Sequence, residues 1–414
     1  MHATPPILPA PVKPPRPITE SPDHRTPTPV ALAGGGTGGH LFPNLAVVER
    51  LIERGVPVDA HLLISDRKLD GQLIERAASA MRAGTLDGLE GDSDHAPAAS
   101  LRPHPLPCRP PGARPRAALR FALGHHASRR RCDALFRQHR PAALIATGGF
   151  VSPAPVLAAR ALGIPTALVN LDAVPGRANR FLARRVHTVF STAATDDLPG
   201  ARPLGFPLRF AAVSHLDPAS ARAGLGLKSD VPTLLVFAGS QGARTVNHAM
   251  IELARRSGTG RMLAGWQVLH LTGAGDTDDV RDAYDAAGIH AVVQPFCHRM
   301  GLAWASADLA IARAGAGSIA EAHANHVPAL LLPYPFHRDQ HQRLNALPLV
   351  NAGGAQLLTD HIDPAKNVAE ILGPLRHLLA NRNQRDAMRQ VLMQRPLEDG
   401  ANTLCDWLLN HIGD

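Results

Sequence analysis

From Thr28 onward, short apolar runs alternate with stretches in which apolar residues recur every three or four positions. "VALAG" (Val30–Gly34) precedes "PNLAVVERLIERG" (Pro43–Gly55), and "VDAHLLIS" (Val58–Ser65) precedes "LDGQLIERAASAMRAG" (Leu69–Gly84). "AALIATGG" (Ala142–Gly149) precedes "APVLAARALG" (Ala154–Gly163), and "TALVNL" (Thr166–Leu171) precedes "ANRFLARR" (Ala178–Arg185). Each run has the length of a buried strand and each periodic stretch that of an amphipathic helix. Alternation of this kind predicts a parallel, doubly wound sheet.

A second series begins after "PLGFPLRF" (Pro203–Phe210), with strands expected in "TLLVF", "WQVLHL", "HAVVQ", "DLAIA", "ALLL" and "AQLL". Both series open alike: an apolar strand, a glycine loop (Gly34–Gly39, then Gly239–Gly242) and a helix. The pattern predicts an α/β chain of two facing Rossmann-like domains, with the active site in the cleft at the carboxyl ends of the strands. Residues 28–207 are expected to form the N-terminal domain and 208–385 the C-terminal one. Residues 386–414, ending in "ANTLCDWLLNHIG", supply helices expected to pack back on the N-terminal domain. Two stretches break the alternation. Residues 1–27 read as a disordered, proline-rich tail without the apolar core of a signal peptide. Residues 84–112 read as a polar, proline-broken loop.

A chain of 414 residues is long enough for two cores. Its net charge of +8 points to an anionic partner. An aromatic content of 4% provides few stacking platforms for single-stranded nucleic acid, so no nucleic-acid partner is expected. No stretch approaches the ~18 uninterrupted apolar residues of a membrane span, which leaves peripheral contact. "ARPRAALRFALGHHASRRR" (Ala113–Arg131) sets cations beside Leu119, Phe121 and Leu123. That mixture fits an anionic bilayer surface somewhat better than a merely solvated face. Cys108, Cys132, Cys297 and Cys405 lie far apart, without zinc or disulfide spacing.

Four motifs carry candidate chemistry. "GGGTGGH" (Gly34–His40) sits at a strand-to-helix turn, where free N–H groups and the positive helix end suit a phosphate. Its bland reading is close helix–strand packing. "GSQGAR" (Gly239–Arg244) adds Ser240 and Gln241 for a diphosphate, or simply an N-cap serine. In "RAGAGSIAE" (Arg313–Glu321), Ser318 and Glu321 have capping-box spacing, and on spacing alone the cap outweighs a carboxylate for ribose hydroxyls. "DTDD" (Asp276–Asp279) reads as acidic residues opening a helix, with no metal.

Together with "TGGFVS" (Thr147–Ser152), "PGRAN" (Pro175–Asn179) and "DQHQRLNALPL" (Asp339–Leu349), these blocks stand in an order that resembles the MurG family of peptidoglycan glycosyltransferases. The likeness runs from about Val30 to Gly353. It implies the two-domain glycosyltransferase-B architecture, with no metal or other cofactor. It also implies inverting transfer of N-acetylglucosamine from UDP-N-acetylglucosamine to undecaprenyl-pyrophosphoryl-N-acetylmuramyl-pentapeptide, by a peripheral protein at the cytoplasmic face of the cell membrane. By matching positions, Thr37, Gly38, Gly39 and His40 would line the acceptor side. Arg209 and Ser240 would contact the donor diphosphate, and Cys297 would lie against uracil through its backbone. Ala316, Gly317, Ser318, Ile319, Ala320 and Glu321 would follow the donor, with Glu321 on the ribose, and Gln342 would hold the transferred sugar. The chain departs from the family at Val169–Asp172, where Asn170 replaces a glutamate and Asp172 a sugar-contacting asparagine, and at His341, which replaces a glutamine. The donor motifs alone also fit another UDP-sugar transferase or a non-catalytic nucleotide-binding relative.

The chemistry implied is coherent. An attacking sugar hydroxyl needs a general base, for which His40 and Asp172 are the candidates, His40 favoured by its place at the end of the glycine loop. The departing UDP needs N–H dipoles and a cation such as Arg209.

Overall fold

A computed structural model describes residues 27–82 and 99–412, except 113, 238, 240, 241, 257, 274, 337 and 338. The N-terminal sheet comprises β1 (Thr28–Ala33), β2 (Val58–Ser65), β3 (Ala99–Leu106), β4 (Leu144–Ala146), β5 (Thr166–Asn170), β6 (Thr188–Ser191) and β7 (Arg202–Pro203). Its order is β3-β2-β1-β4-β5-β6-β7. The C-terminal sheet comprises β8 (Thr233–Phe237), β9 (Gln267–Leu271), β10 (Ala291–Gln294), β11 (Leu309–Ala312), β12 (Ala329–Leu331) and β13 (Ala355–Leu357), in the order β10-β9-β8-β11-β12-β13. Every pairing in both sheets is parallel.

The strands read as continuous apolar runs because both faces of each sheet are covered. One N-terminal core gathers Val30, Leu32, Leu62 and Ile145, and the other, across the sheet, gathers Ala31, Leu63, Leu144 and Leu168. The C-terminal sheet is flanked in the same way, by Leu234, Val236 and Ile311 on one side and Leu235, Phe237 and Leu269 on the other. Strand order reverses beside β1 and beside β8, and each of those strands leads into one of the glycine loops. That is where a doubly wound sheet opens a crevice.

Part of the stretch read as loop is a strand. β3 (sequence "ASLRPHPL") pairs with β2 from Val58↔Ala99 to Ser65↔Leu106. Pro103 and Pro105 hid it, since proline removes a ladder donor. β3 is the edge strand, and the two prolines have the same parity, so the missing donors fall on the side without a partner. Residues 84–98 of that stretch, and the expected tail up to residue 26, lie outside the described residues.

The chain passes between the domains twice. Residues 205–213 lead from β7 into the C-terminal domain. There the helix Arg382–Met393 buries Met388 and Leu392. The chain then returns, and the helix Gly400–Ile412 buries Leu404, Cys405, Trp407 and Leu408 in the N-terminal core beside the helix Gly38–Glu53. Arg50 Nε to Asp399 Oδ2 (2.7 Å) fastens the return. The crossings touch at Gly205 and Gly400: a Cβ on Gly205 would strike the Glu398 carbonyl, and one on Gly400 the Gly205 carbonyl. Among the described residues, no helix is long and apolar enough to cross a membrane.

Candidate functional site

The first glycine loop divides into two parts. Gly34, Gly35 and Gly36 are buried against the protein itself. A Cβ on Gly34 would strike Thr147 Oγ1, one on Gly35 would lie 2.6 Å from Asp70 Oδ2, and one on Gly36 would lie 2.6 Å from the Phe150 ring. Asp70 binds the turn, accepting from Gly36 N (2.6 Å) and Ser65 Oγ (2.6 Å), while Arg67 Nη1 donates to Gly36 O (3.0 Å). Close packing therefore accounts for these three. Thr37 is the N-cap of the helix Gly38–Glu53, without a side-chain cap bond, and Gly38 and Gly39 open onto the cleft. The helix begins five residues earlier than the apolar periodicity indicated, under glycines that carry no such signal.

His40 is held by the "TGGFVS" block. Thr147 Oγ1 donates to His40 O (2.7 Å), and His40 Nδ1 lies 2.8 Å from Thr147 O. A carbonyl only accepts, so Nδ1 carries the proton and Nε2 of the neutral ring keeps its lone pair. Gly149, at φ +73°, would put a Cβ 3.2 Å from that Nε2. Glycine at 149 spares that nitrogen a tight Cβ contact.

In the C-terminal domain, Gly242 (φ +72°) packs so closely on the end of β9 that a Cβ would strike Thr272 O. Asn247 ties the next helix to the same carbonyl (Nδ2 to Thr272 O, 3.0 Å) and to buried His270 (3.1 Å). Ser240, expected on the diphosphate, lies outside the described residues. The helix Ala316–Ala324 has Gly315 as its N-cap, which corrects the capping-box reading: Ser318 is already inside the helix. Glu321 instead accepts from Trp304 Nε1 (2.8 Å). Burial pushes the Glu321 carboxyl up to about 7, against the opposing pull of that hydrogen bond. Cys297 is buried, its thiol donating to Arg299 O (3.3 Å) and raised above its ordinary range by burial. Asp278 and Asp279 occupy the first turn of the helix Thr277–Ala286.

Some of these residues face one another across an interdomain cavity of about 430 Å³; Thr37, His40, Asp172, Ser318 and Gln342 do not line it. Gly38, Gly39 and Phe42 line one side, Arg209 lies on the crossing segment, and Cys297, Gly317 and Glu321 line the other. Ala316, Ile319 and Ala320 line a second cavity of about 790 Å³ instead, with Leu171 and Asn345, and Phe206 borders both. Arg209 is not a lone cation. Its Nε bonds to Oε1 of fully buried Glu49 (2.7 Å), whose Oε2 accepts from Phe210 N (2.9 Å). Asp172 meets the opposite domain through Asn345, whose Nδ2 donates to Asp172 Oδ1 (2.9 Å) and whose Oδ1 accepts from Ala173 N (2.7 Å). Gln342, one turn before Asn345, accepts from Tyr334 N (2.8 Å). Asn170, at the position of the missing glutamate, is buried; its Nδ2 donates to Asp172 O (2.7 Å) and Ser191 Oγ (3.0 Å). The side chain at 170 braces the strand end instead of facing the cleft.

Sequence reading missed Glu49, Asp70, Trp304 and Asn345. Glu49 and Asp70 sit in ordinary amphipathic helices, and Asn345 lies inside a block already assigned to the sugar. A buried carboxylate must find a partner, but nothing in the linear order says which one.

Comparison with known proteins agrees with this geometry. The glycosyltransferase family 28 N-terminal domain matches residues 30–191 and the family 28 C-terminal domain matches residues 233–404. The chain is a two-domain glycosyltransferase of family 28. A UDP-N-acetylglucosamine–N-acetylmuramyl-(pentapeptide) pyrophosphoryl-undecaprenol N-acetylglucosamine transferase of Acidothermus cellulolyticus is 37% identical over 340 residues, 80% of this chain and 84% of the relative. The same-named protein of Mycobacterium avium is 35% identical over 362 residues, 84% of this chain and 81% of its own. Within family 28, the chain belongs to this MurG family. The crystal structure of Acinetobacter baumannii MurG shares the fold, with a TM-score of 0.64 and 23% identity over 93% of this chain and all of that one.

Proposed function

We propose that the chain transfers N-acetylglucosamine, with inversion, from UDP-N-acetylglucosamine to undecaprenyl-pyrophosphoryl-N-acetylmuramyl-pentapeptide. The observation that carries this reading is the interdomain cavity, where helix-start glycines from one domain face a partly buried carboxylate from the other. Ionised Glu321 accepts from the ribose hydroxyls, and the Cys297 backbone borders the uracil. Arg209, its charge already shared with Glu49, acts with Ser240 and nearby N–H groups as charge develops on the departing diphosphate. Gln342 holds the transferred sugar. Thr37, Gly38 and Gly39 face the acceptor, and His40 Nε2 takes the proton of its attacking hydroxyl. Asp172 orients substrate beside Asn345.

The acceptor is lipid-linked, so the protein must reach a bilayer. The helix Pro115–His139 leaves Leu119 and Leu123 60% and 61% exposed, one turn apart, with exposed Arg116, Arg120 and Arg130 around them. Leucines flanked by arginines suit the anionic cytoplasmic face of the membrane. The test is UDP release by the purified chain from UDP-N-acetylglucosamine, with and without a lipid acceptor analogue. Release that depends on acceptor is expected. Indifference to the acceptor, or no release, would overturn the proposal.

A further inference from the structure

Away from the cleft, three of the chain's histidines and one aspartate meet beneath the edge of the N-terminal sheet. Asp59 and His61 are two apart on β2 and so point to the same face. That face is covered by the helix Pro115–His139, whose last residue brings His139 over them. One carboxylate oxygen of Asp59 and one ring nitrogen from each of His61 and His139 lie within 4.8 Å of one another. We propose that Asp59, His61 and His139 bind a divalent transition-metal ion of the zinc type.

Three observations carry this. First, the His61 side chain is 1% exposed and its Nε2 has no hydrogen-bond partner. An unsatisfied buried polar atom weakens the fold, and a metal would satisfy this one. Second, the spacing fits. Bonds of about 2.1 Å in a tetrahedral site put ligand atoms about 3.4 Å apart. His61 Nε2 and Asp59 Oδ2 are already 3.4 Å apart. The His139 ring lies 4.4 Å from that of His61, tilted by 46°, at the last residue of its helix.

Third, the supports that ligands require are present. His61 Nδ1 lies 2.9 Å from His104 Nε2 on β3. With Nδ1 donating, Nε2 holds the lone pair, the arrangement in which a ligating histidine is oriented through its second nitrogen. Asp59 is oriented through its other oxygen, Oδ1, which accepts from Arg102 Nε (2.6 Å) and from Ser100 Oγ. The ion would staple β2 to the helix that presents Leu119 and Leu123. Asp59 and His61 lie in the first half of β2, and the cleft is built beyond its end at Ser65. A role in the transfer reaction is not implied.

The full-length chain, stripped with a chelator, is titrated with zinc against a chromophoric chelator, and with cobalt to read the absorption of a tetrahedral site. One equivalent of zinc should bind, with a tetrahedral cobalt spectrum, and zinc should raise the melting temperature. His139→Ala, on a half-buried helix end, should weaken zinc binding at least about tenfold, lose the cobalt spectrum and abolish the thermal shift. Asp59→Asn should do the same. Should Asp59→Asn fail to fold, His139→Ala alone decides. Absence of binding by the native chain, or equal affinity in His139→Ala, overturns the proposal. Equal affinity would place the zinc on other histidines among the chain's 22.

Discussion

Consider Glu321→Gln, a change that removes a charge, preserves shape and keeps an oxygen to accept from Trp304 Nε1. Glu321 has its carboxyl raised to about 7 by burial, from an ordinary 4.5. A group whose folded value is raised contributes stability that is complete below its unfolded value and is lost as pH rises through the folded one. Ionised Glu321 therefore works against the fold above neutrality, whereas glutamine does not ionise. At about pH 8 the variant should be the more stable protein by about 2–3 kcal/mol, and at about pH 5 the gap should shrink below about 1 kcal/mol. For a domain of this size that is a difference of several degrees in melting temperature, read by calorimetry at the two pH values. Donor affinity should move the other way. A carboxylate accepting from ribose hydroxyls makes charge-assisted bonds of about 1.5–3 kcal/mol each, so the variant's donor KM should rise about ten- to a hundredfold. The native enzyme's donor KM should itself rise as pH falls through about 7, because protonation removes the same charge. A melting difference that is the same at both pH values would refute the burial argument. An unchanged KM would refute the ribose assignment.

Glu49→Ala should destabilise the protein by about 3–5 kcal/mol in urea unfolding, because it strands the Arg209 guanidinium, whose side chain is only 17% exposed; a loss below about 1 kcal/mol would mean that the pair holds nothing together. His40→Ala should lower kcat by about 10²–10⁴ with Asp172→Asn far milder, since Asp172 already engages Asn345 while His40 spends only Nδ1, on Thr147 O; the reverse ranking in steady-state kinetics would make the carboxylate the base. Serine at Leu119 and Leu123 should weaken pelleting with anionic vesicles, and salt should release the native protein because surface attraction is screened within about 10 Å at 0.1 M. Equal binding to neutral and anionic vesicles would remove the membrane assignment.

The alternation of apolar runs and helical periods was enough to read two parallel sheets, because strands covered on both faces must be apolar throughout. β3 was lost for a physical reason: an edge strand tolerates prolines that a central strand does not, so its sequence looked like loop. The same limit applies to the site. Glycine loops and helix starts are local and legible, and Gly38, Gly39, Gly317 and Glu321 do meet in one cavity. Local reading did not separate Gly34–Gly36, spent on packing, from Gly38 and Gly39, which face the cleft. Nor did it separate a capping glutamate from one held by Trp304. Each distinction is decided by a partner distant in sequence: Thr147 for Gly34, Asp70 for Gly35, and Trp304 for Glu321.

The paired crossings at Gly205 and Gly400 bear on how the two domains move. A single tether would let one domain swivel, bend and slide relative to the other. Two tethers lying against each other, with no side chain between them, form a short axle. Motion that preserves both contacts pivots about that crossing, so the mouth of the cleft widens or narrows while the two domains cannot slide apart there. A donor gripped by one domain is then presented to the other along a repeatable arc, and much of the orientational search between the reacting sugars is settled by the path of the main chain. Any side chain larger than hydrogen at either glycine would pry the axle apart, and the arc would be lost before any residue that touches substrate had changed.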